Sequence, residues 1–585
     1  MHASSHISVR YFALLVLLGL ATPVFAQDAL WKSSIDAGLK AHRAGRFAEA
    51  EKLLASALKT AEEFGPADPR VATSLNNLAA LYVDQAQYDR AEPLYQRSRT
   101  ILTKALGAEH PKVAASLNNL AHLYHVQGKY DQAEAIYGRS LAIWEKALGA
   151  EHPNVATTLN NLAGLYRLQG KYDQAEPLYK RSLAISEKAL GAEHPDVATP
   201  LNNLAELYRV QGKYVQADPL YRRSLAIWEK ALGAEHPKVA TSLHNLAGLY
   251  CDQGKYDQAE PLYKRSLAIR EKTLRAGHPD VAASLSKLAA LYRDQGKYAQ
   301  AEPLFRRSLA IEEKAVGAEH PNLAMTLNDL GVLYRDQGKY DQAEPLYHRS
   351  LAISEKVHGA EHPEVATTLD NLGVLYREQG KYAQAELLFK RALAITKKAL
   401  GAEHPKVATS LNELGLLYCD QGKYDQAEPL YQRALAIWEK AHGAEHPNVA
   451  TSLNNLAALY EVQGKYDQAE ALFRRAMAIW EKAFGPEHPD VALSRSNLAA
   501  LSRHRSRAQR EAPPSERAAP QFAEAPATCC NRCTPCRSCF RCGRAPRRVL
   551  IALCRFLHPR RIACAALRPQ TPMIPPPGCV AAPQR

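Results

Sequence analysis

The stretch that decides the fold is PKVAASLNNLAHLYHVQGKYDQAEAIYGRSLAIWEKALGAEH, residues 111–152. Its first half repeats apolar residues at the three- and four-residue spacing of one helical face: Val113, Leu117, Leu120, Ala121 and Tyr124. Its second half shows the same spacing at Tyr130, Ala133, Tyr137, Leu141, Trp144 and Leu148. Because Gly128 interrupts the pattern between the halves, the stretch predicts two amphipathic helices joined by a tight turn.

This unit recurs through most of the chain. A proline returns every 42 residues from Pro69 to Pro489, without insertion or deletion, and a slightly shorter copy starts near Asp28. Residues 27–503 therefore hold about eleven helix pairs and a terminal helix. A single pair is too small to bury its apolar stripe, so the pairs must stack on one another as an all-α solenoid.

Glycine, histidine and proline mark the helix ends. Gly149 suits the left-handed residue that commonly follows a helix, and Pro153 suits a first turn, where a missing N–H is harmless. Ten copies have His before this Pro, whereas Asp68 fills the place in the first complete copy. Asp is a common helix cap. Successive copies should lie about 10 Å apart, and metal–nitrogen bonds are only about 2.0–2.1 Å long. We therefore predict that these histidines cap helices and bind no metal.

The repeated pattern resembles a known family. Leu117, Leu120-Ala121, Tyr124, Gly128, Tyr130, Ala133 and Tyr137 resemble the tetratricopeptide repeat. The 42-residue period, with Leu-Asn-Asn-Leu-Ala, Gln-Gly-Lys-Tyr and Gly-Ala-Glu-His-Pro, resembles the kinesin light chain variety of it. Over roughly residues 28–503, the resemblance implies a right-handed superhelical solenoid of stacked antiparallel helix pairs, with the first helix of each pair, helix A, on the concave side. It also implies a scaffold that binds other proteins, without naming the partner.

The N-terminal segment predicts export. Arg10 precedes an apolar run over residues 11–20, and Val24-Phe25-Ala26 fits the small-residue rule for signal cleavage. We expect residues 1–26 to be a signal peptide and the mature protein to be periplasmic or secreted, without stable membrane insertion after cleavage. The alternative is an uncleaved anchor. An export signal, together with the lack of a heptad coiled coil before the repeats, argues against a motor role like that of kinesin light chains.

The positive charge belongs to the C-terminal tail. Residues 501–585 carry 16 Arg, no Lys and 3 Glu, which is +13 of the chain's net +14. The repeats are nearly neutral, so we do not predict binding to nucleic acid. Nine of the 11 cysteines also lie in the tail, several in Cys-x-x-Cys spacing, but without His or carboxylates among them. We expect residues 504–585 to be a disordered Arg/Pro/Ala/Cys-rich tail, not a metal site.

One face of helix A carries candidate binding residues. Positions 115, 118, 122 and 125 share this face, and position 118 is usually Asn, as is the adjoining position 119. Carboxamides can match the N–H and C=O groups of an extended peptide. The alternative is that one Asn column bonds neighbouring helices. If both columns were buried between helices, peptide binding through them would fail.

The column at position 125 adds positive charge. Five of its members are Arg, which would suit the carboxylates of an acidic peptide. The alternative is pairing with the next column, which holds Asp252, Asp294, Asp336, Glu378 and Asp420. The column at position 122 contains several small residues that would leave room for a ligand. The candidate peptide-binding residues are Asn76, Asn118, Asn160, Asn202, Asn328, Asn412, Asn454, Arg167, Arg209, Arg293, Arg335 and Arg377.

No sequence pattern indicates catalysis. The chain has no His-Glu-x-x-His, no Gly-x-Ser-x-Gly and no phosphate-binding Gly-rich loop. Trp144, Trp228, Trp438 and Trp480 share one column of the second helix with Arg270 and Glu312. Charged residues in this column predict that its side chains are partly exposed to solvent. We therefore expect an exported, non-enzymatic scaffold, without a cofactor, that binds extended peptide segments in an Asn/Arg-lined groove. The alternatives are a structural spacer or assembly subunit that uses its outer face or ends, and a truncated remnant of a repeat–peptidase protein.

Overall fold

The computed structural model describes residues 25–511 apart from residue 275. Within this part of the chain every regular element is helical. Most of the predicted signal, residues 1–24, and the cysteines of the tail lie outside the described residues. The described residues are helical from residue 25 onward, and the last helix runs past residue 503 to Glu511.

The helices alternate between the two members of each pair. We number them in chain order, so that odd numbers are helices A and even numbers are helices B. Their bounds are α1 (25–43), α2 (Phe47–Glu62), α3 (Pro69–Asp84), α4 (Tyr88–Leu106), α5 (Pro111–Val126), α6 (Tyr130–Leu148), α7 (Pro153–Leu168), α8 (Tyr172–Leu190), α9 (Ala198–Val210, after a 3₁₀ turn at Pro195–Val197), α10 (Tyr214–Leu232), α11 (Pro237–Asp252), α12 (Tyr256–Thr273), α13 (Pro279–Asp294), α14 (Tyr298–Val316), α15 (Pro321–Asp336), α16 (Tyr340–His358), α17 (Pro363–Glu378), α18 (Tyr382–Leu400), α19 (Pro405–Asp420), α20 (Tyr424–His442), α21 (Pro447–Val462), α22 (Tyr466–Phe484) and α23 (Pro489–Glu511).

The helix ends follow the predicted capping chemistry. Nδ1 of His110 accepts a hydrogen bond from the backbone N–H of Lys112 at 3.1 Å, and every later His of this series caps its helix in the same way. Oδ1 of Asp68 accepts the equivalent bond from the N–H of Arg70 at 2.8 Å. The capping prediction is confirmed. Gly128 has φ +72°, a left-handed conformation that glycine adopts without strain.

The pairs are held together by aromatic side chains of helix B. The largest fully buried side chains include Tyr137, Tyr179 and Tyr221, together with Phe305, Phe389 and Phe473 in the same column. They lie against small residues of helix A: a Cβ added at Gly373 would come within 2.7 Å of Cε1 of Phe389. The core is therefore one layer of large side chains facing small ones, repeated along the solenoid.

The Trp column of helix B is buried, so the expectation of partial exposure is wrong. Trp228 and Trp480 are each 4% exposed, and Arg270 and Glu312 in the same column are 6% and 3% exposed. Nη1 of Arg270 donates to Oγ of Ser284 at 2.7 Å, which satisfies part of the buried guanidinium. Burial raises the pKa of Glu312 to about 8, so this carboxyl is mostly protonated at neutral pH and is buried without a charge.

The helices A form the inner side of the curved stack. Consecutive helices A approach one another more closely than consecutive helices B do, as expected when A lies on the concave side. The chain is thus an all-α superhelix of helical repeats, as predicted. None of the helices between residues 25 and 511 combines the length and apolar character that crossing a membrane requires.

Successive turns of the superhelix touch along a seam. Nε2 of His320 lies 3.1 Å from the backbone oxygen of Asp84, and Nε2 of His404 lies 3.0 Å from that of Leu168, with 236 residues between the partners of each pair. Rings also meet there: the centroids of Tyr172 and His442 are 5.1 Å apart. The start of one helix A therefore rests on the end of another helix A from the preceding superhelical turn.

Candidate functional site on the concave wall

The two asparagine columns form a ladder between repeats. In each rung, Nδ2 of the second-column Asn donates to Oδ1 of the first-column Asn in the preceding repeat, over 3.0–3.3 Å. The rungs are Asn161–Asn118, Asn203–Asn160, Asn245–Asn202, Asn371–Asn328, Asn455–Asn412 and Asn497–Asn454. The ladder thus joins consecutive helices A, which is the alternative left open by the sequence.

The first column is largely closed to a ligand. Five of its candidate residues are buried, namely Asn160, Asn202, Asn328, Asn412 and Asn454, while Asn76 and Asn118 are half-buried. Oδ1 of Asn76 accepts a hydrogen bond from Oγ of Ser116 at 3.4 Å. The expectation that these asparagines are open to a peptide is therefore wrong for the buried five, because their acceptors are used between repeats. Peptide binding by the column stays an untested prediction.

The ladder is replaced by acids near α17. Asp370 takes a first-column position, and Glu413 takes the second-column position of the next repeat. Oγ of Ser410 donates to Oδ2 of Asp370 at 2.9 Å, but Oδ1 of Asp370 is buried without a hydrogen-bond partner. Burial, with the nearby charge of Glu413, raises the pKa of Asp370 to about 8. This rung therefore leaves a buried acid oxygen unsatisfied where other rungs have a paired amide.

The arginine column is paired with carboxylates. Arg335 lies 2.9 Å from Asp336, and Arg377 lies 3.2 Å from Glu413 and 3.6 Å from Asp420. Further along the wall, Arg293 lies 3.0 Å from Asp294. The ion lattice that the sequence offered as an alternative is therefore present, and these arginines already have anionic partners.

The N-terminal arginines share one buried acid. Arg209 lies 2.7 Å from Glu206 and contacts Asp252, whereas Arg167 is 4.0 Å from Glu206. Burial opposes ionisation of Glu206, but the charge and hydrogen bonds of Arg209, the charge of Arg167 and a hydrogen bond from Tyr221 lower its pKa to about 2. Glu206 is thus a charged hub in the column at position 122, which the sequence analysis described only by its small residues.

The column at position 122 changes character along the wall. Gly164 and Ala290 are buried, which fits close helix packing, whereas Val332, Val374 and Leu416 are half-buried. These three residues come from consecutive helices A, and each lies one helical turn before an ion-pair position. They form an apolar strip, which we define as Val332, Val374 and Leu416.

The charge around this strip is acidic. The wall columns of α15, α17 and α19 carry two arginines, Arg335 and Arg377, and five carboxylates, Asp329, Asp336, Glu378, Glu413 and Asp420. The sixth acid, Asp370, adds little charge because its pKa of about 8 keeps it mostly protonated at neutral pH. Sequence reasoning followed the arginines and missed this excess because it did not place the acids of three columns on one surface. Counting the acids in all wall columns together could have found it.

A family model of the tetratricopeptide repeat matches the chain in nine segments, most of which overlap their neighbours. They are residues 37–104, 70–133, 112–188, 155–217, 196–272, 280–347, 330–398, 406–470 and 453–518. The chain belongs to the tetratricopeptide repeat family. As a member of this family, it is a scaffold for interactions with other proteins.

Solved structures with similar repeats were also found. A putative kinesin light chain with nearly identical TPR-like repeats from Podosopora anserina is 32% identical, covers 35% of this chain and 98% of its own, and has a TM-score of 0.30. BtubC (BKLC) from P. vanneervenii is 28% identical, covers 40% of this chain and 92% of its own, and has a TM-score of 0.32. The repeats of this chain are of the kinesin light chain type, as predicted. No curated protein matches the chain.

Proposed function

We propose that this tetratricopeptide repeat protein is an exported, non-enzymatic scaffold that binds an extended polypeptide on the concave wall of α15–α19. Export, to the periplasm or outside the cell, is supported by the signal-like segment at residues 1–26. The proposal moves the contact surface away from the asparagine ladder, because the ladder is occupied by bonds between repeats.

The apolar strip carries the proposal. Val332, Val374 and Leu416 offer half-buried apolar surface at the same position of three consecutive repeats. Adjacent repeats lie about one helix diameter, roughly 10 Å, apart. A segment in the extended polyproline II conformation has three residues per turn and advances about 3.1 Å per residue, so every third residue lies on one face and can meet one member of the strip.

The charge beside the strip selects the segment. An acidic peptide, which the arginine column suggested, does not suit this part of the wall because Arg335 and Arg377 already contact carboxylates. The surplus of acids around the strip attracts a basic or neutral segment instead. We therefore propose a partner segment with apolar residues at intervals of three and with Lys or Arg between them.

A pull-down with two matched variants tests the proposal. The inner variant is Val374→Ala with Leu416→Ala; Ala290 and Ala458 show that the column tolerates this change. The control is Leu387→Ala, which removes a side chain 70% exposed on α18. We expect the full chain and the control to retain a native partner from an extract and the inner variant to lose at least ten-fold in apparent affinity.

Salt and peptides complete the test. Raising the ionic strength weakens contacts between exposed charges, so binding of a basic segment should fall with salt. Two synthetic peptides of equal length, one with Lys and one with Glu between the apolar residues, show whether the wall prefers a basic or an acidic segment. A partner that binds the inner variant as tightly as the full chain, or a preference for the Glu peptide, would refute the proposal.

A further inference from the structure

The seam repeats one contact six times. The start of each helix A from α13 to α23 rests on the turn after a helix A of the preceding superhelical turn. The pairs are His278 with Arg43 and Gly45, His320 with Asp84, His362 with Gly128, His404 with Leu168 and Gly170, His446 with Val210 and Gly212, and His488 with Gly254. The contact is thus a property of the repeat and not of one position.

Each seam histidine serves both sides of the contact. Nδ1 of His404 accepts a hydrogen bond from the N–H of Lys406 at 3.0 Å and so caps its own helix. Its Nε2 lies 3.0 Å from the carbonyl oxygen of Leu168, at the end of α7. A Cβ added at Gly170 would lie 3.1 Å from Cδ2 of His404. The turn therefore accepts the ring closely because it has no side chain at this position.

Within the described residues, five of the eleven members of each contact set have no partner. The starts of α3, α5, α7, α9 and α11 have no preceding superhelical turn among residues 25–511, and their capping residues are Asp68, His110, His152, His194 and His236. We call these the cap edge. The last five turns have no following superhelical turn in the described part of the chain, and their glycines are Gly296, Gly338, Gly380, Gly422 and Gly464. We call these the turn edge.

The two edges are open where the seam is closed. The side chain of His194 on the cap edge is 41% exposed, against 11% for His278 and 13% for His488 in the seam. A Cβ added at any of the five turn-edge glycines would meet nothing within 4 Å. An open pocket of about 350 Å³ lies beside Gly422, at the place that corresponds to the seat of His404 beside Gly170.

Two of the seam turns show the same difference in their aromatic residues, whereas Tyr88, Tyr130 and Tyr256 in the other seam turns are half-buried. Tyr172 and Tyr214, which begin helices B in the seam, are 3% and 8% exposed. Their counterparts on the turn edge, such as Tyr382 and Tyr466, are half-buried. The turn edge thus exposes the aromatic and glycine surface that is covered at the seam. The cap edge exposes the histidine and proline surface that does the covering at the seam.

We propose that a second copy of this chain docks its cap edge on the turn edge, so that the superhelix continues across two molecules. The occupant is a copy of the same chain because the interface already exists within the chain, with the same residue types in the same register. The two edges differ, so the contact is heterologous and leaves one edge of each kind free. Assembly therefore continues end to end beyond the dimer. This inference does not rest on the concave wall.

Two variants, each blocking one edge, test the docking. The cap-edge variant is His110→Asp, His152→Asp and His194→Asp; Asp68 shows that Asp keeps the helix cap while removing the ring. The turn-edge variant is Gly338→Asn, Gly380→Asn and Gly422→Asn, because Asn tolerates a positive φ but fills the seat. Circular dichroism checks that both retain the helical content of the parent.

Sedimentation velocity over a concentration series gives the readout. We expect the sedimentation coefficient of the full chain to rise with concentration and each variant alone to remain monomeric. An equimolar mixture of the two variants should form heterodimers only, because one intact cap edge meets one intact turn edge. A full chain that stays monomeric throughout the series overturns the proposal, as do oligomers that survive in both variants. A monomer would also point to the chain's own terminal segments as the cover.

Discussion

Nδ2 of Asn203 donates a hydrogen bond to Oδ1 of Asn160 over 3.1 Å, and both side chains are buried between α7 and α9. The bond links two repeats that are also joined by the hydrogen bond from Tyr208 to Glu176 at 3.0 Å. A buried amide pair is satisfied in only one register, so the ladder favours one alignment of neighbouring helices A. The asparagines therefore specify how the repeats stack, which differs from the peptide-binding role expected of them.

A double-mutant cycle measures this rung. Asn160→Ala and Asn203→Ala should each lower the free energy of unfolding by about 1–3 kcal/mol, because each leaves a buried polar partner unsatisfied. The double variant should cost less than the sum of the two, by about 0.5–3 kcal/mol of coupling. Urea denaturation of the four proteins gives these values, and strictly additive effects would show that the amides do not act as a pair.

Replacing Asp370 by Asn should stabilise the protein at neutral pH. The pKa of Asp370 is raised to about 8 in the fold, above its ordinary value of about 3.9 in an unfolded chain. The stability it contributes is therefore present below about pH 4 and is lost as pH rises toward 8. We expect Asp370→Asn to gain about 1–3 kcal/mol at pH 7 by removing a buried unsatisfied acid.

The pH dependence of that gain separates it from a general effect. Native Asp370 holds its proton at both pH values, but near pH 4 the unfolded chain also begins to protonate it, so the cost of taking up a proton on folding falls and the thermal midpoints of Asp370→Asn and the parent should converge. Asp131→Asn, at the exposed start of α6, is the matched control and should shift neither midpoint. A gain that is equal at pH 4 and pH 7 would mean that protonation of Asp370 is not its source.

Acid should weaken the seam. Burial lowers the pKa of His404 and of His446 to about 4, with the charge of Lys406 adding to the effect at His404. The unfolded value is about 6.5, so the neutral rings stabilise the fold fully above pH 6.5, and this stability is lost as pH falls toward 4. Each ring contributes up to about 1.4 kcal/mol per pH unit in that window.

Non-titrating caps identify the source of the acid sensitivity. Asn keeps a helix cap without a proton to bind in this range. His404→Asn should flatten the fall in urea midpoint between pH 6.5 and pH 4.5, whereas His194→Asn on the cap edge should leave the slope as it is. Equal slopes for the parent and His404→Asn would show that other groups govern the acid response.

Paired glycine substitutions isolate the seam contact from backbone strain. Gly212 and Gly422 have φ of +68° and +73°, so Ala pays nearly the same backbone penalty at both. Only at Gly212 does the new Cβ meet another superhelical turn, 2.7 Å from Cδ2 of His446. We expect Gly212→Ala to cost about 1–3 kcal/mol more than Gly422→Ala, the usual range for overpacking.

Thermal melts at low protein concentration compare the two variants without contributions from self-association. Small-angle X-ray scattering adds a structural readout, because an opened seam lengthens the superhelix. We expect a larger radius of gyration for Gly212→Ala than for Gly422→Ala. Indistinguishable melts and scattering curves would show that the close approach of His446 to Gly212 does not hold the turns together.

Much of the fold was predictable from local pattern. The spacing of Val113, Leu117 and Leu120, the break at Gly128 and the His-Pro starts each depend on neighbours a few residues away, and all agree with the observed helices. The site was less predictable. The angle between repeats decides whether Asn160 points to a ligand or bonds to Asn203. It also decides whether Arg377 is free or lies beside Glu413. No local spacing encodes this angle.

The amino-acid sequence by itself determined the helices, their caps, the pairing within each repeat and the repetition, because these follow from periodicity, side-chain size and backbone preference over one 42-residue unit. The tertiary structure decided the rest. A small rotation between repeats, accumulated over about six of them, brings His404 onto Leu168 across 236 residues and turns two helix ends into a seam. Contacts at that range depend on the sum of many interfaces, so they exist only once the whole superhelix has formed.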